Sequence, residues 1–84
     1  MITGVSLLLP WGEQIDLPAP HRHHDLLHEY FVNNGQKVPP GTSQGFHNEK
    51  YHFFTREKAR EYAIKCGQVT TTQHSKKLFS EDLW

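Results

Sequence analysis

From Thr3 to Leu9 the chain reads as a strand, apolar from Val5 onward except at Ser6, and Pro10-Trp11-Gly12 then supplies the fixed φ and the glycine of a turn. Gln14-Ile15-Asp16-Leu17 alternates polar and apolar, so the two segments predict a first β-hairpin with Ile15 and Leu17 facing inward. Pro18-Ala19-Pro20 cannot continue a central ladder and suits the approach to a helix. From about Arg22 to Asn33 the apolar positions Leu26, Leu27, Tyr30 and Phe31 recur at helical spacing, and Asn33-Asn34-Gly35 is a stop signal. Gln36 to Ser43 carries two prolines and a glycine and reads as an exposed connection.

The period changes again beyond Ser43. Ser43-Gln44-Gly45-Phe46 and Tyr51-His52-Phe53-Phe54 flank a polar tip, His47-Asn48-Glu49-Lys50, which predicts a second hairpin. Thr55 is placed to cap a second helix in which Ala59, Tyr62, Ala63 and Cys66 form an apolar stripe ending at Gly67. The remaining residues, which could add a strand or a short helix, begin with a threonine-rich run of strand-like propensity and close on Leu78-Phe79-Ser80-Glu81-Asp82-Leu83-Trp84, an apolar-acidic-apolar segment expected to dock. The order is β-β-α-β-β-α plus a docked tail. It predicts an α+β fold in which two hairpins form one antiparallel sheet with both helices on one face.

Composition narrows the function classes. Eighty-four residues predict a single small domain over residues 1–84 with a thin core, for which self-association into a homo-oligomer is an expected support. One cysteine, Cys66, permits neither an internal disulfide nor a cysteine-based zinc cluster, and fits a reducing cytoplasm. A net charge of zero argues against a protein that coats nucleic acid through bulk charge, though not against a local basic patch. The apolar run Val5 to Leu9 is too short for a signal segment or a membrane span.

The densest chemistry lies in His21-Arg22-His23-His24-Asp25-Leu26-Leu27-His28, which holds four of the chain's seven histidines. His24 and His28 are i and i+4 on one helical face, as metal ligands are, but no glutamate follows the first as in a helical HExxH motif, and half-buried polar neighbours of Leu27 and Phe31 explain them as well. Behind Pro20, the first turn of the helix should contain His21, Arg22, His23 and His24. There, unpaired N–H groups and the positive dipole end favour an anion such as phosphate, against the plainer reading of a solvated helix start. Asp25 beside His24 or His28 has the composition of an acid–base pair, yet no activated nucleophile accompanies it: Cys66 is expected to pack within the stripe, and Ser80 has no histidine close in sequence. Arg56 and Arg60, i and i+4 at the start of the second helix, suit phosphate, carboxylate or the chain's own Glu81-Asp82. Phe46, Tyr51, Phe53 and Phe54 invite base stacking, while a domain this small needs most of them in its core.

Several of these residues recur together elsewhere. Leu17-Pro18-Ala19-Pro20, Arg22-His23-His24-Asp25 with His28, Gly45-Phe46, Phe53 with Arg56 and Ala59, Gly67-Gln68 and the closing Leu78-Phe79-Ser80-Glu81-Asp82-Leu83-Trp84, taken in order, resemble a group of small proteins encoded by tailed bacteriophages and prophages, over roughly residues 13 to 84. The chain departs from that pattern at Thr55, where an acidic or amide cap is common, and in the longer loop Gln36 to Ser43. The resemblance implies a phage accessory protein acting in the host cytoplasm. Small phage proteins with polar pockets often counter bacterial immunity, in some cases by sequestering nucleotide signals within a homo-oligomer.

Together these readings give an expectation. The chain is a non-catalytic anti-defence protein that binds a phosphate-bearing, nucleotide-like small molecule through Arg22, His23, His24 and His28, with Phe46 as a stacking surface and Arg56 and Arg60 as a second charged wall. No residue is assigned to catalysis, a metal or a cofactor. The alternatives are a small hydrolase of phosphodiester bonds using His24 and His28, with or without metal, and an inhibitor of a host protein anchored by Phe79 to Trp84.

Overall fold

The computed structural model describes residues 1–84, as four strands and two helices: β1 (Ile2–Leu8), β2 (Gln14–Pro18), α1 (His23–Asn34), β3 (Ser43–Asn48), β4 (Phe53–Thr55) and α2 (Arg56–Lys65), followed by a short 3-10 turn at Ser80–Asp82. The strands form one antiparallel sheet in the order β2-β1-β3-β4. The fold is α+β, with both helices on one face, as the periodicity predicts.

The near-continuous apolar run of β1 is explained by its place: it is central, paired on both sides and buried on both faces. Val5 and Leu7 point to the helices and Ser6 to the opposite face. Ile2 joins the same core although it lies three residues before Val5, an odd spacing that alternation forbids. A register shift between Ile2 and Gly4 resolves this, because the extra residue returns Ile2 to the helix-bearing face.

The core unites Ile2, Val5, Leu7 and Phe46 from the sheet with Leu26 of α1, Ala59 and Ala63 of α2, and Leu78 of the tail. Full burial of a side chain such as Phe46 or Leu26 contributes about 2–3 kcal/mol each. The two alanines let α2 lie close over β3 and β4, while α1 presents Leu26 and Tyr30 to the core and leaves Phe31 and Val32 exposed. Gly35, at φ 72°, ends α1 in the left-handed conformation, and the Thr55 side chain accepts the Lys58 N–H to start α2. No helix is long and apolar enough to cross a membrane.

Three local expectations are corrected. His47 and Asn48 belong to β3 and not to the hairpin tip; the tip is Glu49 to His52. Cys66 is exposed at the end of α2, because the helix finishes one residue earlier and its apolar stripe ends at Ala63. The threonine-rich run after Val69 forms no strand.

Candidate functional site

Arg22 is the residue that introduces α1, one position later than the sequence suggests, so that His21 stands outside the helix and His23 and His24 open it. The Arg22 N–H donates to Asp25 Oδ2 at 2.8 Å, which supplies the helix start with one anion of its own. That bond, followed by the charges of His24 and His21, holds the Asp25 carboxyl below its ordinary pKa. The main-chain N–H groups of His23 and His24 find no partner in the protein.

The tail comes back to this helix start. Arg22 donates through Nη1 to Ser80 Oγ at 3.1 Å and through Nη2 to the Trp84 main-chain oxygen, and lies 3.4 Å from Glu81 Oε1. The Trp84 indole N–H donates to the His21 carbonyl at 2.9 Å. Arg56, the first residue of α2, donates to the Leu78 carbonyl at 3.0 Å and to Gln44 Oε1 at 2.9 Å, and its guanidinium lies 4.6 Å from the Phe79 ring centre. Burial lowers the Arg56 pKa, though an arginine stays charged.

Arg22, His23, His24, Arg56, Phe79, Ser80 and Glu81 thus surround one cleft of about 150 Å³. Residues separated by more than fifty positions meet there because the tail crosses both helix starts. The Glu81 pKa is lowered by its own main-chain N–H and the Ser80 hydroxyl, and then by Arg22 and Arg56. Each guanidinium on the cleft wall still has N–H groups without a protein partner. Chemically it can hold a small anion in a fork of two arginines, with the hydroxyl of Ser80 beside it.

The expected site residues divide on this geometry. Arg22, His23, His24 and Arg56 are brought together. His23 is mostly buried, and forms a wall: its Nε2 bonds the Gly45 carbonyl at 2.6 Å, its ring meets Phe46 edge-on, and burial pushes its pKa down to about 4. Phe46 is fully buried, so it has no face for a base and serves the core instead. Arg60 is turned to Thr72 Oγ1 at 2.7 Å, away from the cleft. His28 lines a different groove, with Leu27, Phe31, Lys37, Val38 and Gln44. No group of three or more histidine, cysteine, aspartate or glutamate side chains converges in a way that would hold a metal ion.

A second polar cluster has no local signature in the sequence. On the sheet face away from the helices, Ser6 Oγ donates to Asp16 Oδ1 at 2.5 Å and lies 2.9 Å from His47 Nδ1, itself 3.3 Å from the same carboxylate oxygen. The serine hydroxyl has a single proton, which goes to Asp16, so His47 Nδ1–H must be the donor to Ser6. Gln14 bonds both Asp16 and the Tyr51 carbonyl, and the Tyr51 ring stacks on His47 at 5.0 Å from a backbone with φ 61°. Ser6 is fully buried and His47 nearly so. A Cβ at Gly4 would collide with the His47 ring and the Leu17 carbonyl, which explains the glycine. The cluster has a hydrolase's residue types without its geometry: serine and aspartate approach one ring nitrogen, and no substrate reaches the hydroxyl. The signal that could have found it is Ser6 inside an apolar strand, with Gly4 and Asp16 on the same face.

A family model described as phage T4 y16D protein matches residues 9–84, a span that includes every residue of the cleft. Comparison with curated proteins and with solved structures gives no match.

Proposed function

The chain belongs to the phage T4 y16D protein family, and on that premise we propose that it is a phage accessory protein of the host cytoplasm that captures a phosphate-bearing, nucleotide-like small molecule without transforming it. The observation that carries this reading is the convergence of Arg22 and Arg56, from the starts of two helices, on one cleft with donors to spare. The phosphate would accept from both guanidiniums and from the free N–H groups of His23 and His24, where the dipole of α1 also favours negative charge. His24, exposed at the rim, would close over it. Capture of a signalling nucleotide would make the protein an antagonist of host defence.

Native mass spectrometry of the protein purified from an expressing bacterium tests the reading, because it reports bound small molecules and the oligomeric state together. The expected result is a retained or added nucleotide that leaves unchanged when the protein is denatured, and that Arg22→Ala/His24→Ala fails to hold while remaining folded. A folded protein that takes up no nucleotide from a panel of nucleoside 5′-monophosphates, cyclic nucleotides and ADP-ribose derivatives would overturn it.

A further inference from the structure

The cleft is not isolated. A second depression of about 300 Å³, lined by Gln73, His74, Phe79 and Glu81, shares Phe79 and Glu81 with it. Glu81 therefore stands between the two, and its presence is at first sight wrong for an anion site, since a carboxylate repels phosphate. Its oxygens are not equivalent. Oε1 accepts from Ser80 Oγ at 2.9 Å and faces Arg22 at 3.4 Å, whereas Oε2 takes part in neither contact. A ligand hydroxyl would satisfy it.

The depression beyond Glu81 has an aromatic wall that is held in place. His74 Nδ1 accepts the N–H groups of Lys76 and Lys77 at 3.0 and 3.2 Å, which orients its ring against Phe79 with centres 6.2 Å apart. Asp82 accepts the Gln73 N–H at 2.9 Å and the Phe79 N–H at 2.9 Å, tying this wall to the tail. Such preorganised rings lose little freedom when a base lies on them.

Resting on the phosphate-capture reading, we infer that the ligand is a single ribonucleoside 5′-phosphate unit: phosphate between Arg22 and Arg56, ribose diol donating to Glu81, base against His74 and Phe79. An acidic side chain accepting from a ribose hydroxyl beside a helix-start phosphate site is a recurring solution for this chemistry. The two depressions, of about 150 and 300 Å³, are adjacent and together reach the size of a small-molecule site. A cleft of about 150 Å³ alone falls below the range of small-molecule sites, about 300 Å³ and upward, and is completed only with its neighbour.

Titration calorimetry with inorganic phosphate, adenosine 5′-monophosphate and its 2′-deoxy analogue tests the inference. Adenosine monophosphate should bind more tightly than phosphate and about tenfold more tightly than the deoxy form, the worth of one hydrogen bond to a charged acceptor. In Glu81→Gln the ribose preference should fall to near unity while inorganic phosphate binds more tightly, because a nearby negative charge has gone. His74→Ala should bring the affinity for the nucleotide down toward that for phosphate. Equal binding of the ribose and deoxyribose forms, with phosphate still bound, would overturn the nucleoside subsite and leave the phosphate cleft standing. Failure of all three probes to bind the folded protein would overturn both readings.

Discussion

Two polar clusters occupy opposite sides of this sheet, and their difference separates a binding surface from a structural support. The Ser6–Asp16–His47 cluster is buried, each member answers another, and Tyr51 is stacked across it. The Arg22–Arg56 cleft is open, and its guanidiniums retain donors that nothing in the chain accepts. Residue types alone would have favoured the first cluster as the chemical site. Satisfaction decides the other way: a closed network in low dielectric stabilises and orders a fold, while unanswered donors at a surface are available to a ligand.

The contrast can be broken most forcefully from the buried side. Asp16→Ala leaves the buried Ser6 hydroxyl without its acceptor and should destabilise the protein by about 3 kcal/mol, measured by urea unfolding, while phosphate affinity in the remaining folded protein stays as it was. An equal loss of affinity would mean that the two clusters are coupled.

His23 lies on the cleft wall and yields a pH test. Burial makes its uncharged form the preferred one in the folded chain, so the unfolded chain, at an ordinary pKa of 6.5, takes up the proton first. The contribution is complete above pH 6.5 and is lost as the pH falls to about 4, amounting to roughly 3 kcal/mol. Subtracting the unfolding profile of His23→Gln from that of the native chain isolates this part from the titrating carboxylates, and a flat difference would contradict the burial argument.

Arg22→Ala should show the opposite balance from Asp16→Ala. Its ion pair with Glu81 is partly exposed and its bonds to Ser80 and the Trp84 main chain lie at the surface of the docked tail, so stability should fall by about 1–2 kcal/mol, while affinity for phosphate falls tenfold or more. The smallest effect is expected at Tyr51. Tyr51→Gly relieves a left-handed backbone but removes the stack on His47, each worth about 1 kcal/mol, so thermal unfolding should move little.

The fold was more legible than the site. Gly35 and Gly67 ended the two helices, Ala59 and Ala63 marked the buried stripe, and Thr55 its cap, because each acts through its neighbours in sequence. The second hairpin was displaced by two residues for the converse reason. His47 and Asn48 look like turn residues until their distant partners are known: Ser6 and Asp16 for the one, the ladder pairing with Ile2 for the other. Arg22, His23, His24 and Arg56 were named from spacing at two helix starts, but their meeting depends on the course of the tail, and Arg60 was drawn off by Thr72. Glu81 was legible as a carboxylate for Arg56 and Phe79 as part of a docking segment, but their place on the cleft, with Ser80 and His74, came only with that course, since no local pattern says where a docked segment lands.

Titration of the ¹⁵N-labelled protein with inorganic phosphate, followed by amide chemical shifts, tests the central claim most directly. The account predicts saturable shifts concentrated at Arg22, His23, His24, Ser80 and Glu81, with the amides of Ser6, Asp16 and His47 unmoved. Shifts centred on the buried cluster, or none at any residue of the cleft, would contradict it.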